Sequence, residues 1–103
     1  MSFFGKQKQE QPRVVEGAFE VDYQDNAVLL YRWTNDGERI DVGHVKYDQE
    51  HNKVEVKLGV YSVHLPLSTA KMFFGAAAEL VEYVFSELTH GKKPGEIKWL
   101  GPK

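Results

Sequence analysis

The fold is decided by residues 68–90, STAKMFFGAAAELVEYVFSELTH. Ser68 is a residue type that accepts a backbone hydrogen bond at the start of a helix, and Gly91 is the type that most readily adopts the left-handed turn that ends one. Between them, polar or small residues recur every three or four positions: Lys71, Gly75, Glu79, Glu82, Ser86 and His90. This spacing predicts a helix over residues 68–90 with one narrow polar stripe.

The rest of this helix surface is apolar, over a wider arc than the roughly 100° stripe of an ordinary surface helix. A second surface must therefore cover part of the helix. This surface is either a second copy of the chain or a partner, or it comes from the sheet, tails and loops of the same chain. The small residues 75–78, GAAA, allow a neighbouring backbone to approach closely. We predict an oligomer, with a dimer as the first expectation, whose interface contains Phe73, Phe74, Ala77, Ala78, Val81 and Phe85.

Length and composition place the chain among single-domain proteins with an ordinary core. It has 103 residues, 42% of them hydrophobic, which is near the common domain size. The absence of cysteine excludes disulfides and thiolate metal sites. No secretion signal opens the chain and no apolar run is long enough to cross a bilayer. We therefore expect a cytoplasmic protein with no membrane partner.

Charge is distributed unevenly along the chain. Residues 1–16 carry a net charge of +1, residues 17–90 carry 6 basic and 12 acidic side chains and hence −6, and residues 91–103 carry +3. Because phosphate contacts dominate affinity for nucleic acids, the acidic body argues against nucleic-acid binding by the whole surface. It leaves binding through one face or through the tails open.

Alternating apolar and polar residues predict antiparallel strands before the helix. They cover residues 18–24, 27–34, 38–47 and 53–67, with tight turns at Asp25-Asn26 and at Asp36-Gly37.

Two of these strands change the parity of their apolar positions at a glycine. In residues 38–47 the change falls at Gly43, as expected for a β-bulge. In residues 53–67 it falls at Gly59, which indicates either one long strand kinked at a bulge or two strands meeting at a tight bend; the single strand is the favoured interpretation.

The predicted fold class is α+β: a four- (or five-) stranded antiparallel meander, then one long C-terminal helix packed on one face of the sheet. Residues 1–16, which include Phe3 and Phe4, are predicted to be a flexible arm. Residues 17–91 are predicted to form the single ββββα domain, and residues 92–103 a flexible, basic C-terminal tail.

No pattern predicts catalysis. The sequence lacks nucleophile-elbow and phosphate-loop motifs. Glu20 and Asp22 share one strand face and are interpreted as a solubilising edge. Two of the four histidines, His44 and His64, lie on strands and can meet across the sheet. All four are interpreted as solvated: His44, His51, His64 and His90. We expect no enzyme activity, no metal and no cofactor.

Aromatic residues alternate with cations in several segments, notably Tyr31-Arg32-Trp33, Lys46-Tyr47 and Lys98-Trp99. Proteins that hold single-stranded nucleic acids combine a positive groove with aromatic faces on which bases stack. Strand parity puts Tyr31 and Trp33 on the same face as Leu29 and Arg32 on the other, so Tyr31 and Trp33 are either core residues or stacking platforms.

The order of elements and the helix entry Leu67-Ser68-Thr69-Ala70-Lys71-Met72-Phe73 resemble a repeat of the PUR family. More loosely, they resemble the ββββα units of Whirly and positive-cofactor-type transcription proteins. The resemblance implies pairing of two units through their helices and binding of single-stranded DNA or RNA to a curved sheet. The sheets of that family are basic, whereas this body is acidic.

The first functional hypothesis is therefore a non-enzymatic, homo-oligomeric accessory protein that binds single-stranded nucleic acid. Its contacts would come from Arg32, Lys46, Lys53, Lys57, Lys92, Lys93, Lys98 and Trp99. The alternative is a protein-interaction module or regulatory subunit of a larger assembly, which binds through the apolar helix and the N-terminal arm.

Overall fold

A computed structural model describes residues 14–16 and 18–102. The chain divides into two compact units, residues 1–65 and 66–103. Six strands follow one another in a single sheet: β1 (Val14–Glu16), β2 (Phe19–Gln24), β3 (Ala27–Trp33), β4 (Arg39–Asp48), β5 (Lys53–Leu58) and β6 (Tyr61–Pro66). Helix α1 (Leu67–Thr89) and a 3-10 turn (Pro94–Glu96) follow. The predicted α+β class, an antiparallel sheet followed by one C-terminal helix, is confirmed.

The sheet gains one strand at its N-terminal edge that the sequence did not predict. β1 pairs antiparallel with β2, with Val14 opposite Val21 and Glu16 opposite Phe19. These three residues belong to the segment that we expected to be a flexible arm. The rest of that segment, residues 1–13, lies outside the described residues.

The other additional strand comes from the turn at Gly59. Here the favoured interpretation of one kinked strand is wrong, because β5 and β6 are separate strands joined by Gly59 and Val60. Gly59 has a φ of +62°, a left-handed conformation that glycine adopts without steric cost. The alternative of two strands meeting at a tight bend is confirmed.

The change of parity at Gly43 is a β-bulge, as predicted. Leu30 lies opposite Gly43, whereas the next residue, Tyr31, lies opposite Asp41. Val42 is therefore the extra residue in β4. Because the bulge adds one residue, the apolar side chains before and after it lie on the same face of the sheet.

The registers divide β2 to β5 between two faces, since residues directly opposite one another share a face. What we call the apolar face contains Phe19, Val21, Tyr23, Val28, Leu30, Arg32, Ile40, Val45, Tyr47, Val54, Val56 and Leu58. What we call the charged face contains Glu20, Asp22, Leu29, Tyr31, Trp33, Arg39, Asp41, His44, Lys46, Asp48, Lys53, Glu55 and Lys57.

Few hydrophobic side chains are buried. Within the described residues, the buried hydrophobic side chains are Leu29, Val54 and Ala70. Large apolar side chains are exposed on the sheet, for example Leu58 at 58%, and on α1. A chain of this size normally buries most of its apolar surface, so much of the apolar surface of this chain remains available for contacts.

The ends of α1 follow different rules. The helix begins at Leu67 after Pro66, and no side chain caps its first turn; the prediction that Ser68 caps the helix is therefore wrong. Its C-terminal end agrees with the prediction for Gly91, which has a φ of +101°. The amides of Gly91 and Lys92 donate to the carbonyl oxygens of Leu88 and Glu87, the pairing of a Schellman motif.

Replacing Gly43 with alanine tests the bulge. A Cβ at this position would overlap the carbonyl oxygen of Lys57 and lie 2.9 Å from Cδ2 of Leu58. We expect G43A to lower the free energy of unfolding by about 1–3 kcal/mol, the usual cost of overpacking, as measured by urea denaturation. The matched control is G75A, where nothing lies within 4 Å of the added carbon and helix propensity should raise stability by up to about 1 kcal/mol. Equal stability of the two variants would contradict the predicted overlap at Gly43.

Candidate functional site

The charged face is organised around the carboxylate of Glu20, which is only 1% exposed. Trp33 Nε1 donates a hydrogen bond to Glu20 Oε1 at 3.0 Å. Arg39 Nη1 lies 3.7 Å from the same oxygen and 3.5 Å from Asp22 Oδ2. The Arg39 guanidinium carbon also lies 4.0 Å from the centroid of the Tyr31 ring. This cluster balances a buried carboxylate with a cation and an indole donor.

The interpretation of Glu20 and Asp22 as a solubilising edge is therefore wrong for Glu20. A buried carboxylate is tolerated when it is paired and hydrogen-bonded, and here Trp33 and Arg39 supply those contacts. The sequence analysis missed Arg39 altogether. It lies opposite Trp33 only because the bulge shifts the register of β4 by one residue.

Three of the predicted nucleic-acid contacts lie on the charged face, the face that also carries Tyr31 and Trp33. Lys46 lies opposite Glu55, Lys53 opposite Asp48, and Lys57 opposite His44. In β2 to β5 the charged face contains four basic and five acidic side chains. The lysines therefore alternate with carboxylates instead of forming a continuous basic strip.

Arg32 is not part of this group. It lies opposite Phe19 and Ile40 on the apolar face, and its guanidinium carbon is 6.0 Å from the centroid of the Phe19 ring. The structure thus places Arg32 on the face opposite the three lysines.

Of the cations in the described part of the C-terminal segment, one forms an ion pair with helix α1. Lys92 Nζ lies 2.9 Å from Glu87 Oε1, and this hydrogen bond raises the pKa of Lys92 above its usual value. The Lys93 amide donates to Glu96 Oε1 at 3.0 Å, whereas its side chain and that of Lys98 are exposed. Trp99 is half-buried.

The histidines do not form one site. His44 is 10% exposed, with Nε2 at 3.6 Å from Glu55 Oε1, so its interpretation as solvated is wrong. His64 lies in β6, and β5 separates it from the strand of His44. His90 Nδ1 is hydrogen-bonded to the Ser86 carbonyl oxygen at 2.7 Å.

The turn after β4 brings together Asp48, Glu50 and His51, whose ligand atoms lie within 4.8 Å of one another. Asp48 Oδ1 accepts hydrogen bonds from the amides of Glu50 and His51. Its Oδ2 lies 2.7 Å from His51 Nδ1, and this contact is the main reason why the pKa of Asp48 falls below 3.8. These contacts show that the three side chains lie close together because they belong to the turn that connects β4 and β5.

Along α1, four of the predicted interface residues form what we call the apolar row: Phe73, Ala77, Val81 and Phe85. Phe73, Val81 and Phe85 are 61%, 65% and 66% exposed, and Ala77 is half-buried. Spacing of four residues aligns such side chains along one side of a helix. Of the other two predicted residues, Phe74 is half-buried and contacts Phe73 edge-to-face with ring centroids 5.6 Å apart. Ala78 is exposed.

The polar stripe of α1 forms one wall of a groove. The other wall comes from the C-terminal segment, so that the groove is lined by Ala78, Glu79, Glu82, Tyr83, Ser86, Trp99 and Pro102 and has a volume of about 740 Å³. The sequence predicted the polar stripe and singled out Trp99, but nothing in the spacing indicated that they meet.

Comparison of the chain with protein-family models, curated proteins and solved structures gives no match. The resemblance to the PUR repeat therefore remains a proposal based on element order and the helix entry. Within the described part of the chain, no helix combines the length and apolarity needed to span a membrane.

Replacing Trp33 with phenylalanine tests the Glu20 cluster. The change removes the indole donor while keeping an aromatic ring, so a buried carboxylate loses a hydrogen bond. We expect the free energy of unfolding to fall by about 1–3 kcal/mol, measured by urea denaturation. The control is Tyr61→Phe at a side chain that is 77% exposed, where the change should stay within about 0.5 kcal/mol. A W33F protein as stable as this control would show that the hydrogen bond does not stabilise the fold.

Proposed function

We propose that the protein is a non-enzymatic, homo-oligomeric interaction protein that associates with a second copy through the apolar row of α1. The observation that supports this proposal is the exposure of Phe73, Val81 and Phe85, each above 60%, along one side of a regular helix. Exposed apolar side chains that form a contiguous patch mark interaction surfaces more often than singly scattered ones do.

The hydrophobic energy available from this row is of the same order as the cost of association. Two copies contribute six large side chains, and burying the exposed part of each stabilises the pair by about 1–2 kcal/mol. The sum, on the order of 10 kcal/mol, is comparable to the roughly 4–15 kcal/mol that association costs. We therefore expect an oligomer whose population depends on protein concentration.

A second copy suits the row because the row contains no charge and therefore requires no oppositely charged partner. In an antiparallel pair related by a two-fold axis, the same patch meets itself. The small side chain of Ala77 then allows close approach between the larger side chains of Phe73 and Val81. Antiparallel helices also place opposite ends of their dipoles side by side.

A charge in the row should abolish association. We expect V81E to weaken self-association by at least about a hundredfold, because the carboxylate would be buried without a partner. Light scattering coupled to size exclusion would then report a mass near that of one chain, 11.8 kDa. The matched control is M72E, which adds the same charge to α1 at a side chain 72% exposed and about 100° around the helix from Phe73.

Two results would contradict this proposal. One is a wild-type mass of a single chain at every concentration up to about 0.5 mM, where even millimolar-range association becomes visible. The other is an equal loss of mass in M72E and V81E, which would point to a general effect of charge on the helix.

Binding of single-stranded nucleic acid is the second candidate function. It is favoured by the register that aligns Lys46, Lys53 and Lys57 with Tyr31 and Trp33 on the charged face. Cations beside aromatic rings are what single-strand binding uses. The five carboxylates on the same face reduce the attraction for phosphate, and the guanidinium of Arg39 already covers the Tyr31 ring.

The two faces of the sheet provide a matched test of this candidate. Lys57→Ala and Arg32→Ala each remove one positive charge, but only Lys57 lies on the charged face. We expect K57A to weaken binding of a fluorescently labelled single-stranded oligonucleotide and to reduce its salt slope by about 1, and R32A to leave both unchanged. Absence of any salt-dependent anisotropy change at tens of micromolar protein would show that this function is wrong.

A further inference from the structure

The groove between α1 and the C-terminal segment lies on a different side of the helix from the apolar row. At about 100° per residue, Glu79 and Ser86 are about 140–160° around the helix axis from Val81, whereas Ala78 and Glu82 are about 60° and 100° from it. Self-association through the row therefore leaves the Glu79 side of the groove open. It is a shallow groove, open to solvent, with a volume of about 740 Å³.

The groove contains two carboxylates that form no ion pair within the described chain. Glu79 and Glu82 are both exposed and three residues apart on α1, so they are neighbours of like charge on the helix surface. The ion pair found within residues 66–102 is formed by Glu87 and Lys92, with 2.9 Å between Glu87 Oε1 and Lys92 Nζ. Neither Glu79 nor Glu82 forms such a pair within residues 18–102.

Aromatic side chains stand beside these carboxylates. Tyr83 and Trp99 line the groove and are half-buried. Aromatic faces, tryptophan above all, attract ammonium and guanidinium groups. Carboxylates beside aromatic faces form an environment suited to an organic cation.

We propose that this groove binds a lysine- or arginine-containing segment of a partner polypeptide, with the cation between the two carboxylates and the Trp99 ring. A peptide fits better than a single small amine because the groove is much larger than one ammonium group. Of the cations in the C-terminal segment, Lys92 is engaged with Glu87, and the exposed Lys93 and Lys98 form no ion pair with Glu79 or Glu82. The occupant that we infer is a basic segment from another protein.

The proposal is tested by titrating full-length, ¹⁵N-labelled protein with the peptide acetyl-Gly-Lys-Gly-Lys-Gly-amide and with the same peptide acetylated on both lysines. NMR reports the indole N–H of Trp99 and the amides of residues 79–86, and the indole of Trp33 serves as an internal reference. We expect shifts at Trp99 and in α1 but none at Trp33. Acetylation should weaken binding at least about fivefold, the effect of losing exposed ion pairs.

Two double variants separate the groove from general electrostatics. E79Q/E82Q keeps the shape of both side chains and removes their charge, so it should weaken binding of the lysine peptide about fivefold or more. D25N/D36N changes the net charge equally at two exposed turn residues of the sheet unit and should leave the affinity within about twofold of the wild type. Amide spectra confirm that both variants remain folded.

Several outcomes would overturn the assignment. Equal affinity for the acetylated peptide, unchanged affinity of E79Q/E82Q, or shifts confined to other parts of the chain would each show that the groove is not a cation site. An affinity raised more than about fivefold by deletion of residues 1–13, which contain Lys6, Lys8 and Arg13, would assign the groove to the chain's own arm. None of these results depends on the oligomeric mass, so failure of this inference is distinguishable from failure of the proposed self-association.

Discussion

The arrangement of the sheet depends on the close approach of β4 and β5 at Gly43. A side chain at this position would overlap the backbone of β5, so only glycine permits the pairing of Gly43 with Leu58. The extra residue, Val42, shifts the register by one. Without that shift, either Ile40 or Val45 would lie on the charged face, because side chains alternate along a strand. The separation of an apolar from a charged face therefore rests on this one bulge.

The same shift creates the contacts of the charged face. It places Arg39 opposite Trp33 and Asp41 opposite Tyr31, and thereby brings a guanidinium to the buried carboxylate of Glu20. Much of the charge on this face is thus used within the sheet. Tyr31, which the sequence left as either a core residue or a stacking platform, lies beneath Arg39. Trp33 is held by its hydrogen bond to Glu20. These contacts favour a structural role for the two aromatic residues.

Helix α1 carries two chemically distinct sides that suit two kinds of contact. The apolar row is suited to association by burial of hydrophobic surface, which salt hardly affects. The polar stripe and Trp99 enclose a groove whose carboxylates suit a cation, and such an interaction weakens as salt rises. The two proposed contacts therefore use different parts of the surface of one 23-residue helix.

The sequence by itself determined the class of fold, the turns at Asp25-Asn26 and Asp36-Gly37, the bulge at Gly43, and the polar stripe of the helix. These features depend on local rules: alternation along strands, the change of parity at Gly43, the conformational freedom of Gly91, and helical spacing. It also indicated that the helix is more apolar than one covering surface requires, and the exposure of Phe73, Val81 and Phe85 agrees with that expectation.

Only the tertiary structure decided which of these residues meet. The burial of Glu20 depends on Trp33, 13 residues away along the chain, and on Arg39 in the next strand. The groove depends on the return of Trp99 to the helix. The position of Arg32 apart from the lysines depends on strand pairing. These are contacts between residues distant in sequence, and their geometry follows from register and chain reversal, which residue spacing alone does not specify.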